Sequence, residues 1–150
     1  MNILKKELYN ACVDFVNRRN ETVNQIILSN QKALTSETKS SAGDKHETGR
    51  AMLQLEMEKA SQQLDGIHQM KTVLAKMNIK DVSGFVKLGS LIITNQAVYF
   101  LAISAGQLFV SNNNYYAISP SSPIGKLLLG KKVGDEFTFN SKRIIIQEIL

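Results

Sequence analysis

The chain has 150 residues, of which 43% are hydrophobic, and a formal net charge of +5 at pH 7. This hydrophobic content excludes a disordered chain, and the length suits one ordinary domain or two small ones. The basic excess is compatible with a polyanionic partner and equally with an ordinary solvated surface, so it does not decide between them.

Neither membrane insertion nor secretion is predicted. No apolar run approaches the roughly 18 residues of a membrane span, and the N-terminal sequence lacks the apolar stretch of a secretory signal. The single cysteine, Cys12, excludes an intrachain disulfide. We therefore expect a cytoplasmic protein in which Cys12 is a buried and unreactive thiol.

The N-terminal half repeats its apolar side chains at helical spacing. Two segments without proline flank the polar stretch Ser36–Gly49, which predicts an antiparallel helical hairpin with its tip in that stretch. The predicted seam of the first helix consists of Leu4, Leu8, Ala11, Phe15, Thr22, Ile26 and Ala33. The predicted seam of the second helix consists of Leu53, Met57, Ala60, Leu64, Ile67 and Leu74. Such seams are typical of a coiled coil.

The C-terminal half has short segments rich in β-branched and aromatic residues, separated by turn-forming residues. They predict four to six antiparallel strands within Phe85–Ile93, Ala97–Ile103, Gln107–Val110, Tyr115–Ile118, Glu136–Phe139 and Arg143–Ile149. Pro123 predicts the start of one short helix, Ile124–Leu129. The predicted fold is therefore α+β, with an antiparallel coiled-coil hairpin over residues 1–80 and a curled antiparallel sheet with one short helix over residues 81–150.

Three carboxylates lie in the predicted tip, namely Glu37, Asp44 and Glu47. Asp44 and Glu47 are three positions apart just before a helical run, a spacing typical of an N-terminal capping box. The same spacing places two carboxylates on one face of a helix, where they can share a hard cation such as Mg²⁺. Because Mg²⁺ requires an octahedral set of oxygen ligands, the chain alone is predicted to hold no metal. The spacing leaves both interpretations open.

Other chemistry-bearing residues give weaker signals. His46 lies between the two acids, but the only other histidine is His68, so no zinc site is predicted. The segment Gly125–Lys132 resembles a phosphate-binding loop only superficially, because Lys132 replaces the required Ser or Thr. The basic residues of the two helices form either a solvated exterior or a strip facing nucleic-acid phosphates, without interleaved aromatic residues for base stacking.

One segment of the C-terminal half is specific enough to indicate a family. It is Ser122–Glu136, with the sequence SPIGKLLLGKKVGDE. It resembles the signature of the Gre transcript-cleavage factors, which is Ser-Pro-Ile/Leu, a short helix ending in Gly-Lys, and Gly-Asp before a strand. The tip sequence Gly43-Asp44-x-x-Glu47 also resembles the Gly-Asp-x-x-Glu motif of that family. The layout matches over essentially the whole chain and implies a coiled coil followed by a domain of FKBP-like fold.

The resemblance implies a function without enzyme activity of its own. Gre factors bind bacterial RNA polymerase, insert the coiled coil into its secondary channel and help it to cut a backtracked transcript. By this resemblance Asp44 and Glu47 direct a second Mg²⁺ shared with the polymerase active site, and the chain has no cofactor of its own. Ser122, Pro123 and Ile124 match the loop that contacts the polymerase, although Pro123 is also simply a good first helical residue. RNA and DNA are then contacted only within the elongation complex, by a monomer with no membrane partner.

The tip departs from the Gre pattern after its motif. Here the chain continues with Thr48–Ala51 (TGRA), where Gre tips carry a further acid and an aromatic residue. Lys39, Lys45 and Arg50 also place positive charge around the tip, which weakens cation binding. Docking is therefore better supported than cleavage. Two alternatives remain: a regulator that occupies the channel without cutting, and a coiled-coil adaptor whose FKBP-like domain binds another protein.

Overall fold

The computed structural model describes residues 2–39 and 44–150, with the side chains of residues 3–36 and 48–150. Two long helices come first, α1 (Asn2–Lys39) and α2 (Asp44–Lys76), and they confirm the predicted hairpin. The remaining elements are β1 Leu91–Thr94, β2 Val98–Leu101, β3 Gly106–Val110, β4 Asn113–Ile118, α3 Pro123–Leu128, β5 Glu136–Phe139 and β6 Lys142–Ile149. Across the described part of the chain, every helix is too short or too polar to cross a membrane.

The chain forms two compact units. The first, here called the sheet unit, consists of Met1–Phe15 with Thr72–Leu150, and the second, here called the arm, is Val16–Lys71. This division follows compactness, and it groups the first part of α1 and the last residues of α2 with the sheet. The predicted domains, 1–80 and 81–150, remain a sequence prediction.

The arm is packed through a repeat of seven residues. Val16, Val23 and Asn30 are buried on α1, and Ala60 and Ile67 are buried on α2. The predicted seam of α2 is therefore confirmed at its buried positions.

The predicted seam of α1 is wrong in the arm. Thr22 is exposed and Ile26 is 41% exposed, whereas Val23 is buried. The prediction placed Thr22 and Ile26 on the seam, but the actual repeat passes through Val23 and the polar Asn30 and so runs along a different line of the helix.

The sheet unit contains the first turns of α1. Lys5, Leu8 and Cys12 are buried there, of which only Leu8 belongs to the predicted seam. The Lys5 ammonium donates to the carbonyl oxygen of Leu150 at 3.2 Å, and the Tyr9 hydroxyl donates to the carbonyl oxygen of Leu74 at 2.8 Å. Side-chain hydrogen bonds thus fix the start of α1 to the end of β6 and to the end of α2.

The sheet is mixed, which corrects the prediction of a purely antiparallel sheet. Its strand order is β3-β4-β2-β1-β6-β5, and β2 pairs with β4 in parallel, with Tyr99 opposite Tyr116. The hairpin between β3 and β4 turns at Ser111 and Asn112, which both have positive φ, as a tight hairpin turn requires. Strand β3 lies at the edge of the sheet, and β4 lies between β3 and β2. Because β3 runs opposite to β2, and β4 is antiparallel to β3, β4 is parallel to β2.

Helix α3 packs on one face of the sheet and closes the hydrophobic core. The core consists of Val86, Ile92, Leu101, Ile124, Leu128, Ile144 and Ile146. Strand β1 begins only at Leu91, later than predicted. The backbone of Val86 pairs instead with the end of α3, accepting from the Gly130 N–H and donating to the Lys131 carbonyl, both at 2.8 Å. This pairing fixes the position of α3 from outside the sheet.

Candidate functional site

The hairpin tip contains the predicted metal-directing carboxylates. Helix α2 begins at Asp44, so Glu47 is in its first turn. The side chains of Glu37, Asp44 and Glu47 lie outside the described residues, and so does that of His46. The capping and the metal-directing interpretations of Asp44 and Glu47 therefore both stay predictions. Within the described ranges, no three His, Cys, Asp or Glu side chains form a group able to hold a metal ion.

The predicted docking residues lie at the start of α3, in a segment here called the α3 loop (residues 119–126). Ser122 is the N-cap of the helix, with φ −70° and ψ 158°. Its hydroxyl donates to the carbonyl oxygen of Ser119 at 2.7 Å and accepts from the Gly125 N–H at 3.1 Å. An N-cap side chain satisfies one of the helix donors that have no partner within the helix. Ser122 therefore holds the loop in shape.

Gly125 makes the tight turn of the α3 loop possible. A Cβ at this position would lie 1.9 Å from the carbonyl oxygen of Ser119, which is backbone and has no room to move aside. The glycine of the Ser-Pro-Ile-Gly string is therefore required by close backbone approach. The sequence pattern pointed to the helix but did not reveal this contact.

The three predicted docking residues have different environments. Ile124 is 8% exposed and belongs to the hydrophobic core, whereas Pro123 is exposed at the first turn of α3. Lys126 and Leu127 are exposed on the same short helix. Of the three residues, Pro123 is thus the exposed one, while Ser122 and Ile124 support the loop from within.

A second concave site lies on the sheet and was not predicted. It is a depression of about 310 Å³ lined by Gln96, Ala97, Tyr99, Tyr116, Phe139, Asn140, Lys142 and Ile144. The rings of Tyr99 and Tyr116 have centroids 6.2 Å apart and planes inclined by 41°, within the range of favourable aromatic pairs. Burial, and secondarily the neighbouring Tyr116, raise the pKa of Tyr99. The adjacency of Tyr99 and Tyr116 depends on the parallel pairing of β2 and β4, which the sequence did not reveal.

Two buried groups at the base of α1 have shifted pKa values. Burial lowers the pKa of the Lys5 ammonium, and the positive charge of Lys87 lowers it further, against a smaller opposing effect of Asp81. Burial raises the pKa of the Cys12 thiol to about 12. Because the reactive form of cysteine is the thiolate, Cys12 is the buried, unreactive thiol that its sequence position predicts.

Comparison with known proteins shows what the C-terminal part of the chain is similar to. Residues 103–149 match the family model described as the C-terminal part of the GreA/GreB transcription elongation factors. The matched segment contains the whole of Ser122–Glu136, so the resemblance drawn from that string is confirmed. Residues 103–149 are therefore similar to the C-terminal part of the Gre factors.

Among solved structures, the chain is similar to one described as the structure of the transcription factor Gfh1. The identity is 18% and the TM-score is 0.35, with 94% of this chain and 92% of that chain covered. The search of curated protein sequences found no match.

Proposed function

We propose that this protein is a transcription factor that binds bacterial RNA polymerase through its sheet unit and inserts its helical hairpin into the secondary channel. The observation that carries the proposal is the succession of a long hairpin (α1 and α2) and a Gre-type domain that matches over residues 103–149. In this proposal the factor works in the cytoplasm as a monomer, and the polymerase supplies the active site.

In the cleavage form of the proposal, Asp44 and Glu47 act at the polymerase active site. Their position at the start of α2 places them at the end of the hairpin that would enter the channel. Two carboxylates are an incomplete ligand set for Mg²⁺, so the polymerase would have to complete it. A second metal ion in such a site stabilises the attacking and the leaving oxygen of the phosphodiester.

A purified, backtracked elongation complex tests cleavage. Adding the protein should shorten the transcript from its 3′ end, and the variant Asp44→Asn with Glu47→Gln should not. Glu56→Gln with Glu58→Gln is a matched control, because both residues are exposed on α2 beyond the tip. Shortening that survives the change at the tip, or that the control also loses, contradicts the role of this carboxylate pair.

The second candidate function keeps docking and omits cleavage. It is favoured by the tip sequence Thr48–Ala51, which lacks the further acid and aromatic residue of Gre tips. A non-cleaving channel regulator should alter pausing or initiation and compete with cleavage factors, without shortening the transcript. Binding to polymerase combined with an unchanged backtracked transcript would select this form.

Docking is best tested at Pro123 alone. Changing Ser122 or Ile124 would also disturb the helix cap or the core, whereas Pro123 is exposed. Pro123→Ala should weaken binding to the polymerase while lowering the free energy of unfolding by no more than about 1 kcal/mol, with Pro120→Ala as the control in the same loop. If extracts never yield polymerase with the wild-type protein, the third alternative, an adaptor for another protein, replaces the proposal.

A further inference from the structure

Aromatic side chains from four strands lie on one face of the sheet. Tyr99 and Tyr116 are opposite each other on the parallel strands β2 and β4. Gln107 on β3 is opposite Tyr116, and Phe109, two positions further along β3, therefore lies on the same face. Phe139 and Lys142 are opposite each other on β5 and β6 and line the same depression as the two tyrosines. We call this surface the aromatic face and define it by Tyr99, Phe109, Tyr116, Phe139 and Lys142.

The aromatic face borders the part of this sheet surface that α3 covers, and its Tyr99 and Phe139 rings are half-buried against the hydrophobic core. The helix covers Ile92, Leu101 and Ile146 within the hydrophobic core. By contrast, Phe109 is 62% exposed and Tyr116 is 39% exposed. Tyr116 is thus an exposed ring at the depression, and Phe109 is an exposed ring on the same face beside it. Exposed apolar groups that cluster mark an interaction surface more often than scattered single ones do.

The charges on this surface favour an anionic ligand. Lys142 lies at the depression, and none of the residues lining it is acidic. The segment Val82–Gly134, which supplies three of the four aromatic rings, contains no Asp or Glu at all. The ion pair of Arg143 with Glu136 lies on the opposite face, because both alternate with residues of the aromatic face along β5 and β6.

We propose that the aromatic face binds single-stranded nucleic acid. Bases stack on exposed aromatic rings with little dependence on sequence, and a nearby cation contacts the phosphate backbone. The amide side chains of Gln96 and Asn140 line the same depression and can hydrogen-bond to base edges. This activity goes beyond the proposed function, which requires no contact between the sheet and nucleic acid, and it does not depend on the polymerase.

Fluorescence anisotropy with the full chain tests the proposal. The probe is a labelled oligouridylate of about ten nucleotides, within the site sizes of roughly 4–16 nucleotides known for comparable stacking domains. The wild-type protein should bind this probe more tightly than a duplex RNA of the same length, since paired bases cannot stack on the rings. Phe109→Ala and Tyr116→Ala should each weaken binding roughly 5- to 150-fold, the range that loss of one stacked base produces. Phe109 and Tyr116 both lie outside the hydrophobic core, so the variants should stay folded.

Matched controls separate stacking from general attraction. Phe85→Ala removes a ring that is 47% exposed and lies outside the strands, and it should leave the affinity unchanged. Lys142→Gln should reduce the salt dependence, lowering the slope of log K against log salt by about 0.7, whereas Lys132→Gln should not.

Equal binding of duplex RNA, unchanged binding by the Phe109 and Tyr116 variants, or an equal loss in the Phe85 control overturns the proposal. Binding of a proline-rich peptide in place of the oligonucleotide also overturns it and makes the face a protein-docking surface.

Discussion

Two glycines and two polar side chains, one of each in the arm and one of each in the α3 loop of the sheet unit, lie in opposite environments. In the arm, Gly66 has no atom within 4 Å of the place where a Cβ would stand, and the buried Asn30 side chain has an Nδ2 without a hydrogen-bond partner among the described residues. In the α3 loop of the sheet unit, Gly125 lies close to the Ser119 carbonyl oxygen. The Ser122 hydroxyl donates a hydrogen bond to that oxygen and accepts one from the Gly125 N–H. The helical repeat of the arm thus accommodates an unpacked glycine and an unpaired amide. The α3 loop, in contrast, depends on close backbone contact and on specific hydrogen bonds.

This contrast matches the tasks proposed for the two regions. A part that enters a channel needs length and a fixed register, which a repeat of buried residues on two helices supplies. A part that docks on a partner needs a preformed surface, because ordering a loop at the moment of binding would reduce affinity. The difference between the regions can therefore be tested by substitutions that should act in opposite directions.

The largest effect is expected at Gly125. Gly125→Ala should lower the free energy of unfolding by about 3 kcal/mol or more, because the added Cβ would overlap the Ser119 carbonyl oxygen and force the backbone apart. Urea denaturation followed by tyrosine fluorescence measures this loss.

The matched control is Gly66→Ala, which should raise the free energy of unfolding by about 0.5–1 kcal/mol, since alanine is the better helix former. Similar effects of the two glycine substitutions would contradict the proposed difference between the regions.

The next effect is expected at Asn30, in the opposite direction. Asn30 is only 7% exposed, and a buried amide without a hydrogen-bond partner costs about 1–3 kcal/mol. Asn30→Leu should therefore stabilise the arm by about that amount, measured as a shift in urea denaturation followed by helical circular dichroism. Asn24→Leu is the control on the exposed side of the same helix, with an expected change within about 0.5 kcal/mol. No gain from the Asn30 change would mean that the amide finds a partner in solution.

A smaller effect is expected at the cap of α3. Ser122→Ala should destabilise the sheet unit by about 1 kcal/mol, because it removes the hydroxyl that accepts from the Gly125 N–H. Ser121→Ala, one residue earlier and exposed, should change the unfolding free energy by less than about 0.5 kcal/mol. Thermal unfolding of the two variants measures the difference. Equal unfolding temperatures would show that the Ser122 hydroxyl does not stabilise the α3 loop.

The sequence predicted the elements of both regions but only part of their packing. The hairpin, the helix started by Pro123 and the strand Glu136–Phe139 follow from local periodicity and turn residues, so they were predictable. The burial of Lys5 and the adjacency of Tyr99 and Tyr116 depend on which distant segments pair, and local patterns do not encode this. The Gre-type string located the α3 loop, but the close approach of Gly125 to Ser119 depends on the path of the folded backbone, which the string does not encode.

The smallest expected effect concerns pH and the buried Lys5. Its pKa is lowered from the ordinary value of 10.5, chiefly by burial, so the unfolded chain binds a proton at pH values where the folded protein has already released it. The free energy of unfolding should therefore gain a contribution that rises with pH between the lowered pKa and 10.5. In Lys5→Met, which keeps an unbranched side chain one atom shorter and without charge, this contribution should disappear. Denaturation of both proteins at several pH values below 10.5 gives the difference, and parallel curves would show that Lys5 keeps an ordinary pKa in the folded state.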